Sequence, residues 1–144
     1  MNNPSLYQQL GINLDLALEA HELLRGATGR EIPGVREDKE ELPNATVTTV
    51  TIFSPEGARM MNKPLGNYIT IEAPNLRIID PEIQTEISNL LARKLQELIP
   101  TSEQLNILLV GLGNWNATPD ALGPKVIDQS VVTRHLYNYA PEAL

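Results

Sequence analysis

The residues best placed to do chemistry lie in Gly111–Gly123, GLGNWNATPDALG. Gly111 and Gly113 permit close backbone approach, Asn114 can bond to neighbouring backbone, and Pro119 stiffens the chain immediately before Asp120. Asp120 is thereby presented on a restrained turn, where a carboxylate can accept a proton from water. Capping a helix calls for the same residue type, so from spacing alone both roles stand open for Asp120.

Other chemistries fail on spacing. The third glycine of a dinucleotide fingerprint starting at Gly111 would fall on Asn116, and no Gly-Lys-Ser/Thr is present to cradle a phosphate. His21-Glu22-Leu23-Leu24-Arg25 opens like a zinc-protease helix, but Arg25 stands where the second histidine would be. Neither His21 nor His135 lies near a Gly-x-Ser-x-Gly elbow, so a serine nucleophile has no local support.

The elements that must hold the loop are legible to different degrees. Residues 1–12 are uncharged, contain Pro4 and Gly11, and read as an arm laid on the domain. Leu14, Leu16, Leu18 and Ala20 alternate as in a half-buried strand, with helix as the competing reading. Gly26–Asn44, rich in glycine, proline and charge, is expected to be a solvated loop or flap. Val47–Phe53 reads as a strand, Ser54 as the cap of a helix over Pro55–Met61, and Tyr68–Ile71 as another strand. Asp80 and Pro81 start a helix in which Ile83, Ile87, Leu90, Leu91, Leu95 and Leu98 recur at helical spacing until Pro100. Ile107–Val110 is apolar throughout, as expected of a central strand covered on both faces, and Pro124–Tyr139 reads as a further helix. This order predicts a helix-covered, largely parallel α/β sheet, with Gly111–Gly123 at a strand's carboxyl end, where such sheets gather their chemistry.

Composition narrows the function. The chain has 144 residues, 42% of them hydrophobic, enough for one packed core. A net charge of −7 argues against direct binding of nucleic acid, which demands gathered positive charge. The absence of cysteine removes disulfides, thiolate zinc sites and a cysteine nucleophile together. Met1–Leu10 lacks the features of a secretory signal, and no stretch approaches the roughly 18 apolar residues of a membrane span, so a cytoplasmic protein is expected.

Val110–Pro124, VGLGNWNATPDALGP, followed by VTRHL at positions 132–136, closely resembles the germination protease family. The likeness continues upstream through Asp15–Ala20 (DLALEA), Glu56–Ala58 (EGA) and Tyr68–Ala73 (YITIEA), in the family's order. The resemblance implies an endopeptidase that opens spore germination by degrading small acid-soluble spore proteins. It implies an aspartic-type mechanism without a cofactor, and a precursor that removes a short N-terminal segment where residues 1–12 stand. The implied fold is a three-layer α/β/α, phosphorylase/hydrolase-like architecture related to hydrogenase maturation proteases, with residues 13–144 forming the N-terminal part of a single domain. Homo-oligomers, tetramers by resemblance, in the forespore and spore core complete the expectation.

By that resemblance Asp120 is one of two catalytic aspartates, supported by Gly111, Gly113, Asn114, Pro119 and Gly123. The second lies in a later segment that these residues do not include, and proximity in such a dyad is what lets one carboxyl stay protonated while the other accepts a proton. Residues 1–144 alone are therefore expected to be inactive. His135, in the matched VTRHL, is a secondary candidate, with helix packing as its alternative; Arg134 shares that account. Trp115 reads as a loop anchor or the floor of a cleft, Asp128 as a solvent-facing helix residue, and Tyr137 and Tyr139 as parts of a face left exposed. Asn13 and Leu14 replace the Arg-Thr that usually precedes the early aspartate of the family. Two other classes remain open: a hydrogenase-maturation-type protease recognising a nickel centre in its substrate, and a non-enzymatic remnant that binds the same substrates.

Overall fold

The computed structural model describes residues 16–28, 31–77, 80–99, 105–131, 133, 139–140 and 142. The chain divides into two compact units, Met1–Pro100 and Thr101–Leu144. Within the first, α1 (Ala17–Thr28) precedes strands β1 (Val35–Glu41) and β2 (Thr46–Ile52), then α2 (Pro55–Met61), β3 (Gly66–Glu72) and α3 (Pro81–Leu98). The class is mixed α/β.

The three strands form one sheet in the order β1-β2-β3, and both pairings are antiparallel. This corrects the expected parallel arrangement for these strands, because β1 and β2 are joined by a tight hairpin in which the Leu42 N–H donates to the Ala45 carbonyl. A short turn admits only an antiparallel partner. Successive residues of β2 point to opposite faces, and each face has its own core. Val50 and Ile52 pack with Ala17, Ala20, Leu24, Ile32, Val35 and Met61, placing α1 and α2 on one face. Val47 packs with Ala45, Ile87 and Leu90, placing α3 on the other.

Two readings of the N-terminal region are overturned. Residues 17–28 are helical, not a strand: Ala17, Ala20, His21 and Leu24 are buried at helical spacing, whereas Leu16 and Leu23 are exposed. Alanine, leucine and glutamate favour helix, and no β-branched residue interrupts the run from Leu14 to Leu24. The stretch expected to be a loop contains β1, VREDKEE, whose only buried residue is Val35. It is a strand through its backbone pairing with β2 along its whole length, which hydrophobic patterning cannot reveal.

The capping chemistry behaves as its residues require. Ser54 Oγ accepts from the Gly57 N–H at 3.1 Å with Pro55 opening α2, and Asp80 Oδ1 accepts from Glu82 and Ile83 N–H groups at the start of α3. α3 ends at Leu98, and Ile99 is extended before Pro100, as steric conflict with the proline ring requires. Ile87 and Leu90 face the core; Leu91, Leu95 and Leu98 remain on the surface.

In the second unit, Ile107–Val110 forms no strand among the described residues, and its side chains are between 56% and 87% exposed. The apolar run encodes a demand for burial, but strand geometry needs a neighbour to pair with. Of the helix expected over Pro124–Tyr139, the described part is α4 (Leu122–Asp128), which begins earlier and ends at Asp128; residues 132 and 134–138 lie outside the described residues. Pro124 still sits in its first turn, where a missing N–H costs nothing. Ser130 Oγ donates to the Val126 carbonyl at 2.6 Å and the Ser130 N–H bonds to Ile127, a tightened end that stops the helix. Among the described residues no helix is long and apolar enough to cross a membrane.

Candidate functional site

Residues 111–124 fold back on themselves, and glycine is what allows it. Gly113 has φ +142°, and a Cβ there would stand 2.0 Å from the Asp120 carbonyl oxygen. A Cβ on Gly123 would meet the Leu112 oxygen at 2.2 Å, and one on Gly111 would meet the Gly123 oxygen at the same distance. Two backbone segments, 111–113 and 120–123, thus touch without side chains between them.

Hydrogen bonds lock this contact. The Asn114 N–H donates to the Asp120 carbonyl at 3.0 Å, while the Asp120 N–H donates to the Ala117 carbonyl at 2.8 Å. Asn114 also closes the intervening turn: its Oδ1 accepts from the Asn116 N–H at 3.0 Å and its carbonyl from the Ala117 N–H at 3.1 Å. Pro119 sits within a 3₁₀ turn, Thr118–Asp120, that leads into α4. Asp120 is therefore pinned through both backbone polar groups.

Its carboxylate is exposed and makes no hydrogen bond or ion pair among the described residues. Nor does it cap a helix: the residue at the N-terminus of α4 is Ala121, and neither the 3₁₀ turn nor α4 receives a side-chain cap. Of the two roles its position allowed, the structural one is not taken. A carboxylate held in place by its own backbone, and not used to hold anything among the described residues, is available for chemistry.

Trp115, the sole tryptophan, lies in the same turn and is 53% exposed, so it is an anchor only in part. Asp128 faces solvent as expected, accepting from the Gln129 amide at 3.1 Å. His135, Arg134 and Tyr137 lie outside the described residues; Tyr139 is strongly exposed. Among the described residues, no group of three or more His, Asp and Glu side chains is arranged to hold a metal ion.

A second polar cluster escaped sequence reasoning, which treated His21 only as part of an incomplete zinc motif. His21, fully buried in α1, brings Nδ1 to 2.6 Å from Glu37 Oε2 on β1, at ion-pair distance but without hydrogen-bond alignment. Arg25, one turn along α1, bridges Glu31 at 3.2 Å and approaches Glu37 at 3.9 Å. The recurrence of His21 on the apolar stripe of α1 was the available signal; the partner came from β1, which was not read as a strand.

Comparison with known proteins covers nearly the whole chain. The germination protease family model matches residues 15–144. A germination protease of Caldanaerobacter subterraneus subsp. tengcongensis is 50% identical over 134 residues, covering 92% of this chain and 40% of that protein. Those of Clostridium tetani and Bacillus cereus (strain ATCC 10987) are 42% and 38% identical, across 94% and 100% of this chain and 42% and 40% of theirs. The chain spans about two fifths of the length of these relatives and corresponds to their N-terminal part. A match of this extent, running through the Asp120 turn, places the chain in the germination protease family.

Proposed function

We propose that this chain supplies one of two aspartates of an endopeptidase that initiates degradation of small acid-soluble spore proteins during germination. Asp120 is the group that accepts the proton of the attacking water. The observation that supports this role is its backbone-pinned, structurally unused carboxylate. Gly111, Gly113 and Gly123 bring the two backbone segments together, Asn114 and Pro119 shape the turn, and no metal or cofactor enters the scheme. His135 is a secondary participant in the same reading.

The second carboxylate comes from the part of a germination protease that this chain does not span. It stays protonated beside ionised Asp120, because two like charges in one site disfavour double ionisation, and so protonates the leaving group. The complete architecture is a three-layer α/β/α fold related to hydrogenase maturation proteases. Residues 1–12 are a pro-segment-like arm removed from an inactive precursor, and residues 13–144 form the N-terminal part of one protease domain. The working enzyme resides in the forespore and spore core, and its substrates are taken when free of DNA.

The test joins residues 1–144 to the C-terminal three fifths of the Caldanaerobacter relative and assays both the fusion and the isolated chain against a small acid-soluble spore protein. The fusion is expected to cleave and the isolated chain to be inactive. Specific cleavage by residues 1–144 alone, abolished by Asp120→Asn, would show that no second carboxylate from outside is needed.

A further inference from the structure

The turn that carries Asp120 closes without its largest side chain. The Ala117 N–H donates to the Asn114 carbonyl at 3.1 Å, the Asp120 N–H to the Ala117 carbonyl at 2.8 Å, and the Asn114 N–H to the Asp120 carbonyl at 3.0 Å. Asn114 Oδ1 completes the first of these turns by accepting from the Asn116 N–H. Trp115, inside that turn, contributes to none of these bonds and is 53% exposed. A tryptophan that serves only as an anchor hides most of its surface, since its stabilising effect comes from burying about 150–250 Å².

The same closure ties Trp115 to Asp120. With the Asn114 N–H on the Asp120 carbonyl at 3.0 Å, standard bond lengths hold the Cα atoms of Trp115 and Asp120 no more than about 11 Å apart. An extended peptide advances about 3.3 Å per residue. With its scissile bond at Asp120, such a peptide has side chains up to about three residues from that bond within reach of Trp115. The indole face complements an apolar side chain, and tryptophan is enriched among the residues that dominate binding. A carboxylate that works on a peptide bond has to stay open to the peptide, whatever else the unspanned part of the relatives covers. Trp115 is exposed and tied to that carboxylate's own backbone.

We propose that Trp115 is a specificity-determining residue of this site, its indole taking an apolar side chain of the substrate close to the cleaved bond. The proposal rests on the reading of Asp120 as the group that activates water. It assigns Trp115 to substrate binding and leaves the holding of the turn to Asn114 and the backbone. A contact made alike in the ground state and the transition state is felt in KM and not in kcat.

The fusion of residues 1–144 with the C-terminal part of the Caldanaerobacter relative, carrying Asp120→Asn, is oxidised by N-bromosuccinimide with and without a small acid-soluble spore protein. The mass of the peptide containing Trp115 reads oxidation at that residue alone. The expected result is rapid oxidation in the free fusion, slowed about tenfold or more by saturating substrate, as a binding hot spot requires. In the active fusion, Trp115→Ala should raise KM about tenfold or more with kcat within about twofold, and Trp115→Phe should recover most of the loss. A Trp115 that resists oxidation in the free fusion is covered by the rest of the protein and overturns the proposal. So does oxidation that substrate does not slow, or a loss in Trp115→Ala that lies in kcat. The oxidation experiment needs neither turnover nor a substituted tryptophan, so it does not depend on how Trp115→Ala folds. Failure of the fusion to cleave with Asp120 in place would instead refute the reading of Asp120.

Discussion

Replacing Gly113 by alanine puts the loop geometry under direct strain. The new Cβ would sit 2.0 Å from the Asp120 carbonyl oxygen and 3.1 Å from Pro124 Cδ, and its residue would have to adopt φ +142°, a region side-chain-bearing residues rarely occupy. Holding such a conformation costs about 1–3 kcal/mol, which corresponds to a roughly 5- to 150-fold loss in the closed turn relative to open forms. The obstructing atom is backbone, so no side-chain rotation relieves the overlap. The Asn114 N–H to Asp120 carbonyl bond at 3.0 Å is the first contact to be lost. Trp115, the sole tryptophan, reports this turn without interference. Gly113→Ala should change its emission maximum and increase its accessibility to acrylamide, while the far-UV melting of the chain is little altered. Asp120→Asn should leave the emission as it was, because only the backbone of Asp120 holds the turn. Unchanged tryptophan emission and quenching in Gly113→Ala would refute the backbone-contact account of the loop.

Substitutions at four positions test the first unit by thermal and urea unfolding. Gly26→Ala within α1 meets no atom within 4 Å and should stabilise by about 0.5–1 kcal/mol; a lowered melting temperature would show that the helix needs glycine there. Asp80→Ala removes the acceptor of two N–H groups at the start of α3 and should cost about 0.5–2 kcal/mol, whereas Asp80→Ser should recover much of the loss. Leu90→Ala empties a buried position shared by α3 and the sheet and should cost about 2–5 kcal/mol; Leu91→Ala, one residue away on the surface, should cost far less.

What was legible in the sequence was local chemistry. Ser54 and Asp80 cap their helices because a side-chain oxygen one to three residues before an N–H needs no distant partner. The periodicity of α3 and the β-branched run of β2 likewise declared themselves. β1 did not, because its strand character lies in backbone bonds to β2 and its side chains are almost all solvated. α1 was misread because a short run of leucines and alanines satisfies both a period of two and, in part, a period near four; residues through Leu24 decide it. The exposed Ile107–Val110 shows the converse limit, that apolar composition signals burial without specifying the neighbour. At the candidate site, the glycines, Asn114 and Pro119 pointed to a restrained turn, and the structure adds which backbone atoms touch. That Asp120 caps neither the 3₁₀ turn nor α4 with its carboxylate was outside the reach of spacing, since capping and catalysis select the same residue type.

The most direct test of the central claim is the rate at which the fusion of residues 1–144 with the C-terminal part of the Caldanaerobacter relative cleaves a small acid-soluble spore protein, with aspartate or asparagine at position 120. The account predicts a loss of about 10²–10⁴-fold in kcat for Asp120→Asn, with Trp115 emission unchanged. Equal rates for the two proteins would contradict it.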